Sequence, residues 1–145
     1  MSKIYLAGDH AFFELKGKLM RELELAGHEV FDVGAHTLDA NDYYPDMVAL
    51  CAAHVAKDAG SFGIVGGGSG EGEAMVANRH KGIRATVFYG GPMHIIRLVR
   101  EHNDANVLSL GSRFVTDEEA FEAAELFIST PFSGDERHTR RIQKF

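Results

Sequence analysis

The chain has 145 residues, 45% of them hydrophobic and 25% charged, which suits one soluble domain with a sizeable core. Its formal charge of −6 argues against a nucleic-acid partner, whose phosphates favour a basic face. The single cysteine, Cys51, rules out an intrachain disulfide and a cysteine-rich metal site, and no apolar run of about 18 residues suggests a membrane span. Residues 1–7 lack signal-peptide architecture, so a cytoplasmic address is expected.

Lys3–Ala7 is a short apolar run closed by Gly8 and reads as a first strand. Phe12, Leu15, Leu19, Leu23 and Ala26 follow near helical spacing, and Gly27 supplies a stop. Glu29–Val33 reads as a second strand, and Ala35–Asp42 as a polar loop. Tyr44–Pro45 opens a helix to about Lys57, with proline at the tolerated first turn. Phe62–Val65 is a third strand, and Ala74–Arg79 a short helix. Ile83–Phe88, Pro92–Glu101 and Asn106–Leu110 continue as strand, helix and strand. Asp117–Ile128 is a helix with acidic residues in its first turn, as the helix dipole favours. A short basic helix follows Gly134. The alternation predicts an α/β fold: a five-stranded parallel sheet with helices on both faces. Ligands of such sheets bind beyond the carboxyl ends of the strands, which collects residues 8–10, 66–73 and 111–113.

The run Gly66-Gly67-Gly68-Ser69-Gly70-Glu71-Gly72-Glu73 holds five glycines in eight positions, between a strand and a helix. It matches neither a Walker A loop nor a dinucleotide fingerprint. Glycine costs backbone entropy, so five of them point to close approach of main-chain N–H groups to an anion. Glu73, at the start of the helix, is a candidate proton-abstracting base. Glu71 is expected to raise its proton affinity by like-charge repulsion, and the sequence leaves open which of the two points inward. Asp9 and His10, just past the first strand, form a candidate acid/base or phosphate-binding pair. His102 and Asn103 lie in a polar stretch read as a loop before the last strand. Arg137 and Arg141 are four apart and share a helix face, which suits a phosphate. Cys51 reads as a core residue, and no HxxxH or HExxH spacing suggests a metal.

Together these pieces resemble type B ribose-5-phosphate isomerase, of the sugar-phosphate isomerase group that includes galactose-6-phosphate isomerase subunits. The resemblance runs nearly end to end: Gly8-Asp9-His10-Ala11, Glu14-Leu15-Lys16, Tyr44-Pro45-Asp46, the glycine loop, Ala77-Asn78-Arg79, Gly82-Ile83-Arg84-Ala85, residues 100–106, Gly111-Ser112-Arg113, and Arg137-His138 with Arg141. It implies a flavodoxin-like αβα sandwich, a single domain over 1–145, and a homodimer or dimer of dimers with shared active sites. The basic helix at about 134–145 would reach the partner subunit. It implies aldose–ketose isomerisation of ribose 5-phosphate with no metal or other cofactor. Asp9, His10, Tyr44 and the loop, with Gly68, Ser69, Gly70 and Gly72, would come from one subunit. His102, Asn103, Arg113, Arg137 and Arg141 would come from the other. Many members carry a cysteine base at the position of Gly67. This loop instead resembles the actinobacterial-type branch, with Glu73 as base, Ser69 and the loop N–H groups stabilising an enediolate, and His102 and Asp9 assisting ring opening. Two residues depart from that branch: Glu71 stands where asparagine is usual, and Phe12 where glycine is common. Another phosphosugar, such as allose 6-phosphate or a four-carbon sugar phosphate, is the competing substrate, and a non-catalytic phosphosugar-binding module the competing class.

Overall fold

Short apolar runs and longer amphipathic ones alternate along the chain, and each becomes a strand or a helix in the computed structural model, which describes residues 1–145. The strands are β1 (Lys3–Gly8), β2 (Glu29–Gly34), β3 (Phe62–Gly67), β4 (Ala85–Phe88) and β5 (Val107–Gly111). The helices are α1 (Phe13–Leu25), α2 (Tyr44–Lys57), α3 (Glu71–Ala77), α4 (His94–Asn103), α5 (Asp117–Ser129) and α6 (Glu136–Ile142).

All pairings are parallel and the order is β2-β1-β3-β5-β4. The first three positions follow the flavodoxin order, and the last two strands are exchanged relative to it. The crossover through α3 therefore passes β5 to reach β4, and α4 brings the chain back. Period-two alternation divides the core. Ile4, Leu6, Ile64, Leu108 and Leu110 face α1, α4 and α5, where Phe12, Leu19, Ile96, Ala123 and Phe127 are buried. Ala7, Val65 and Val107 face α2 and α3, against Val48, Cys51, Ala52, Val55 and Ala77. Burial pushes the Cys51 thiol up to about 12, as suits a core residue and not a nucleophile.

Several element boundaries differ from the sequence reading by one to three residues, and three of these differences have a clear local reason. Helix α3 begins at Glu71 and not Ala74, because Ala74 N–H reaches Gly70 O at 3.1 Å and closes a turn across the glycines. Strand β4 begins at Ala85 and not Ile83, because Arg84 N–H donates to the Asn106 side chain at 2.8 Å instead of joining the ladder. Helix α4 extends to Asn103, so His102 and Asn103 sit on its last turn and not in a loop. That turn is held by Arg100 and Arg84, which donate to the Asp104 carboxylate at 2.8 and 3.2 Å.

The sheet has its switch point between β1 and β3, where successive connections leave in opposite directions. The carboxyl ends of these strands carry Asp9 and the glycine loop.

Candidate active site

The glycine loop is anchored by β5. Gly66 and Gly67 are still in strand, paired with Leu110 and Gly111. Ser109 Oγ donates to Gly70 O at 2.6 Å. Ser112 Oγ lies 2.7 Å from Ala11 O and 2.8 Å from Gly67 O, so its one proton can tie the end of β1 or that of β3. The main chain of Ser112 and Arg113 donates to Gly67 O and Gly68 O at 2.9 and 3.1 Å. Gly70 has φ +81°, and a Cβ on it would lie 2.9 Å from the Leu110 carbonyl carbon, so only glycine lets the loop lie this close to β5.

Glu73 is the inward carboxylate, only 4% exposed, whereas Glu71 is exposed. A Cβ on Gly67 would lie 2.5 Å from the Glu73 carboxyl carbon. The carboxylate therefore occupies the space that a side chain at residue 67 would need. Burial is the main cause raising its proton affinity; its own backbone N–H opposes the shift and the charge of Asp9 adds to it. This corrects the expected role of Glu71: the neighbour that bears on Glu73 is Asp9, from another strand end. The Glu71 N–H donates to Ser69 Oγ at 3.2 Å, which uses an acceptor site of that hydroxyl and leaves its proton free to donate elsewhere.

Asp9 is buried, and Ala11 N–H donates to its Oδ1 at 3.0 Å. His10 Nδ1 lies 3.0 Å from Asp42 Oδ1. Asp9, His10 and Asp42 bring ligand-capable atoms within 4.8 Å of one another. The hydrogen bonds to Asp42 account for the closeness of His10 and Asp42 within this group. The Tyr44 hydroxyl lies against Gly72, and a Cβ there would be 2.7 Å from its ring carbon Cζ. Arg113 covers Gly68, with a Cβ there 3.1 Å from its Nη1.

A second group lies elsewhere. His102 stacks on His138 with ring centroids 4.3 Å apart. His138 is buried in α6, and burial lowers its proton affinity, with the charges of His102 and Arg137 adding to that effect. Arg137, Arg140, Arg141 and Lys144 line an open groove of about 310 Å³ beside it. This group stands at the amino-terminal edge of the sheet, because α4 runs back antiparallel to the strands before β5 begins at Val107. The five residues of β5, at about 3.3 Å each, put roughly 15 Å between the two groups.

One chain thus joins Glu73, Ser69, Asp9, His10, Tyr44, Gly68, Gly70 and Gly72, and separately joins His102, Asn103, Arg137 and Arg141. Arg113 was expected with the second group and lies with the first, since it follows β5 at its carboxyl end. Asp42 and Ser109 were not singled out from the sequence, and His138 was named only within the Arg137-His138 motif, with no role. Nothing in the local pattern marks Asp42 or Ser109, because each acts through a partner at least 32 positions away. Ser112 had a signal, its place in the Gly111-Ser112-Arg113 motif.

Comparison with known proteins identifies the family. Residues 4–145 match the Ribose/Galactose Isomerase family. The chain is 41% identical over 140 residues to ribose-5-phosphate isomerase B of Mycobacterium tuberculosis, covering 97% of this chain and 85% of that one. It is 40% identical over 141 residues to a probable ribose-5-phosphate isomerase B of Mycoplasma pneumoniae, covering 97% and 91%. Its fold is similar to the crystal structure of ribose-5-phosphate isomerase B from Mycoplasma genitalium with bound ribulose 5-phosphate. That likeness has a TM-score of 0.93 at 39% identity, and covers 98% of this chain and 92% of that one. The Thermotoga maritima enzyme gives 0.90 at 41% identity, covering 99% and 96%. With matching sequence and fold over nearly its whole length, the chain belongs to the ribose/galactose isomerase family.

Proposed function

We propose that this protein interconverts ribose 5-phosphate and ribulose 5-phosphate by proton transfer through a cis-enediolate. The observation that carries the reading is the buried Glu73 carboxylate, with raised proton affinity, beside a loop of glycines anchored at the switch point. A base of raised affinity suits proton abstraction near neutral pH. The relatives' names and the ribulose 5-phosphate bound to the Mycoplasma genitalium enzyme support this substrate.

In the proposed reaction His102 and Asp9 open the sugar ring by moving a proton between the ring oxygen and the anomeric hydroxyl. Glu73 takes the C2 proton, and the electron pair moves into a C1–C2 double bond as charge develops on O1. The Ser69 hydroxyl and the loop N–H groups around Gly68, Gly70 and Gly72 donate to that oxygen; losing one such donor costs about 10²–10³ in turnover. The O2 proton passes to O1, and Glu73 returns its proton to C1, giving the ketose. Tyr44 and Asn103 hold sugar hydroxyls, while Arg137 and Arg141, aided by His10 and Arg113, hold the phosphate.

The site requires a second copy. Glu73 and His102 stand at opposite edges of one sheet, roughly 15 Å apart along β5. A second subunit turned end for end lays its His102, Asn103 and α6 over the first subunit's loop, and a twofold axis makes two equal sites. The exposed Met75, Tyr89 and Phe114 near this edge support such a contact. A phosphosugar substrate and a chain with one buried cysteine suit the cytoplasm. No helix is long and apolar enough to cross a membrane.

The test is turnover of five- and six-carbon aldose phosphates in deuterated water, by wild type and Glu73→Gln. Ribose 5-phosphate should be the best substrate, with deuterium entering C1 or C2, and the variant should bind it without turnover. Binding with no exchange in the wild type would make the protein a phosphosugar-binding module instead.

A further inference from the structure

Asp42 lies at the end of the segment joining β2 to α2, and His10 just past β1. One oxygen of Asp42, Oδ1, is 3.0 Å from His10 Nδ1 and 3.4 Å from the His10 backbone N–H. The same carboxylate thereby addresses both the main chain and the ring. Its side chain is 11% exposed against 32% for His10, so the carboxylate sits behind the ring and the ring faces the opening. Its other oxygen, Oδ2, is buried without a hydrogen-bond partner, and no other cation pairs with Asp42. A carboxylate only accepts, so Nδ1 carries a proton and Nε2 is the atom left for a ligand.

We propose that Asp42 is a positioning residue, holding the His10 ring so that Nε2–H points at the phosphate of the bound sugar. The inference rests on reading the site as a phosphosugar site. The groups facing His10 are Asp42, Asp9 and Arg113; the hydrogen bond to Asp42 is the largest influence, and it raises the proton affinity of the ring against the opposing effects of burial and Arg113. Asp42 thus favours the imidazolium form of His10. His10 and Arg113 then present two positive donors to a dianion at one end of the glycine loop.

The experiment uses Asp42→Asn, which keeps an acceptor oxygen and removes the charge. The His10 titration is followed by NMR in the free enzyme, and sulfate, a dianion throughout the pH range, serves as the probe alongside ribose 5-phosphate. The midpoint of His10 should fall by about one pH unit. Sulfate affinity should drop about tenfold at pH 7.5, and the loss should shrink as the pH falls through the measured His10 midpoints of the two proteins. KM should rise with kcat within about twofold of wild type, because the phosphate is held equally in ground and transition states. Asp42→Glu should restore part of the midpoint. An unmoved His10 midpoint, or a sulfate loss equal at all pH values, would overturn the proposal while leaving the substrate reading intact. If the wild type binds neither sulfate nor ribose 5-phosphate, both readings fall together.

Discussion

Replacing Gly67 by alanine puts a methyl group where the Glu73 carboxylate lies. The added Cβ would sit 2.5 Å from Glu73 Cδ and 3.0 Å from Oε2. Carbon–carbon contacts settle at about 3.5–4.0 Å, so the carboxyl group must retreat by about 1 Å. The backbone of Gly67 cannot yield instead, since it is paired with Gly111 and its carbonyl is held by Ser112. The Glu73 side chain can yield, at about 0.5–1.5 kcal/mol for an off-rotamer torsion. The melting temperature should therefore fall by only about 2–6 °C. Turnover should fall about 100-fold, the typical loss for a 1 Å misplacement of a reacting group. Steady-state kinetics with ribose 5-phosphate and a thermal melt of the same preparation read both effects. Turnover within threefold of wild type in Gly67→Ala would refute the idea that Glu73 acts from above Gly67. The overlap also explains physically why a side chain at residue 67 and a carboxylate at residue 73 compete for one space.

Phe12 packs its ring over Gly8 and Gly66, where a Cβ on Gly66 would lie 2.5 Å from its Cγ. Phe12→Ala should cost about 3–5 kcal/mol, and adding Gly66→Leu should recover part of that loss in denaturant unfolding; a cost below 1 kcal/mol would mean the site collapses freely. The acid limb of kcat/KM should lie above the ordinary carboxylate range, because Glu73 must be ionised to act and burial raises its proton affinity. The same shift destabilises the fold as pH rises through the folded value, so Glu73→Gln should be more stable than wild type at pH 8 and equal to it near pH 3. Urea unfolding at the two pH values checks the sign. Mixing inactive Glu73→Gln subunits with inactive His102→Ala subunits should restore activity, through hybrid dimers that hold one intact site; native mass spectrometry would show that hybrids form. No recovery in a preparation rich in hybrids would remove the shared-site proposal.

The layered α/β architecture could be read from local patterns alone, because strand-length apolar runs and helical spacing alternate from residue 3 to residue 128. The sequence also placed the loop at residues 66–73, since glycine clustering at a strand end is a local signal. The family was legible for the same reason, as its motifs are contiguous. Three-dimensional packing was needed to show that Glu73, and not Glu71, points inward, because burial depends on what β3 and β5 pack around the helix start. It set Arg113 against Gly68 of the same chain, since the carboxyl end of β5 lies beside that of β3. It revealed Asp42 behind His10 and His138 behind His102 through pairings 32 and 36 residues apart in sequence, which no periodicity encodes. The helix boundary at Asn103 likewise depends on Arg84 and Arg100 gripping Asp104. Local physics wrote the elements and the loop; the charge, direction and partners of each reacting group came from contacts between distant segments.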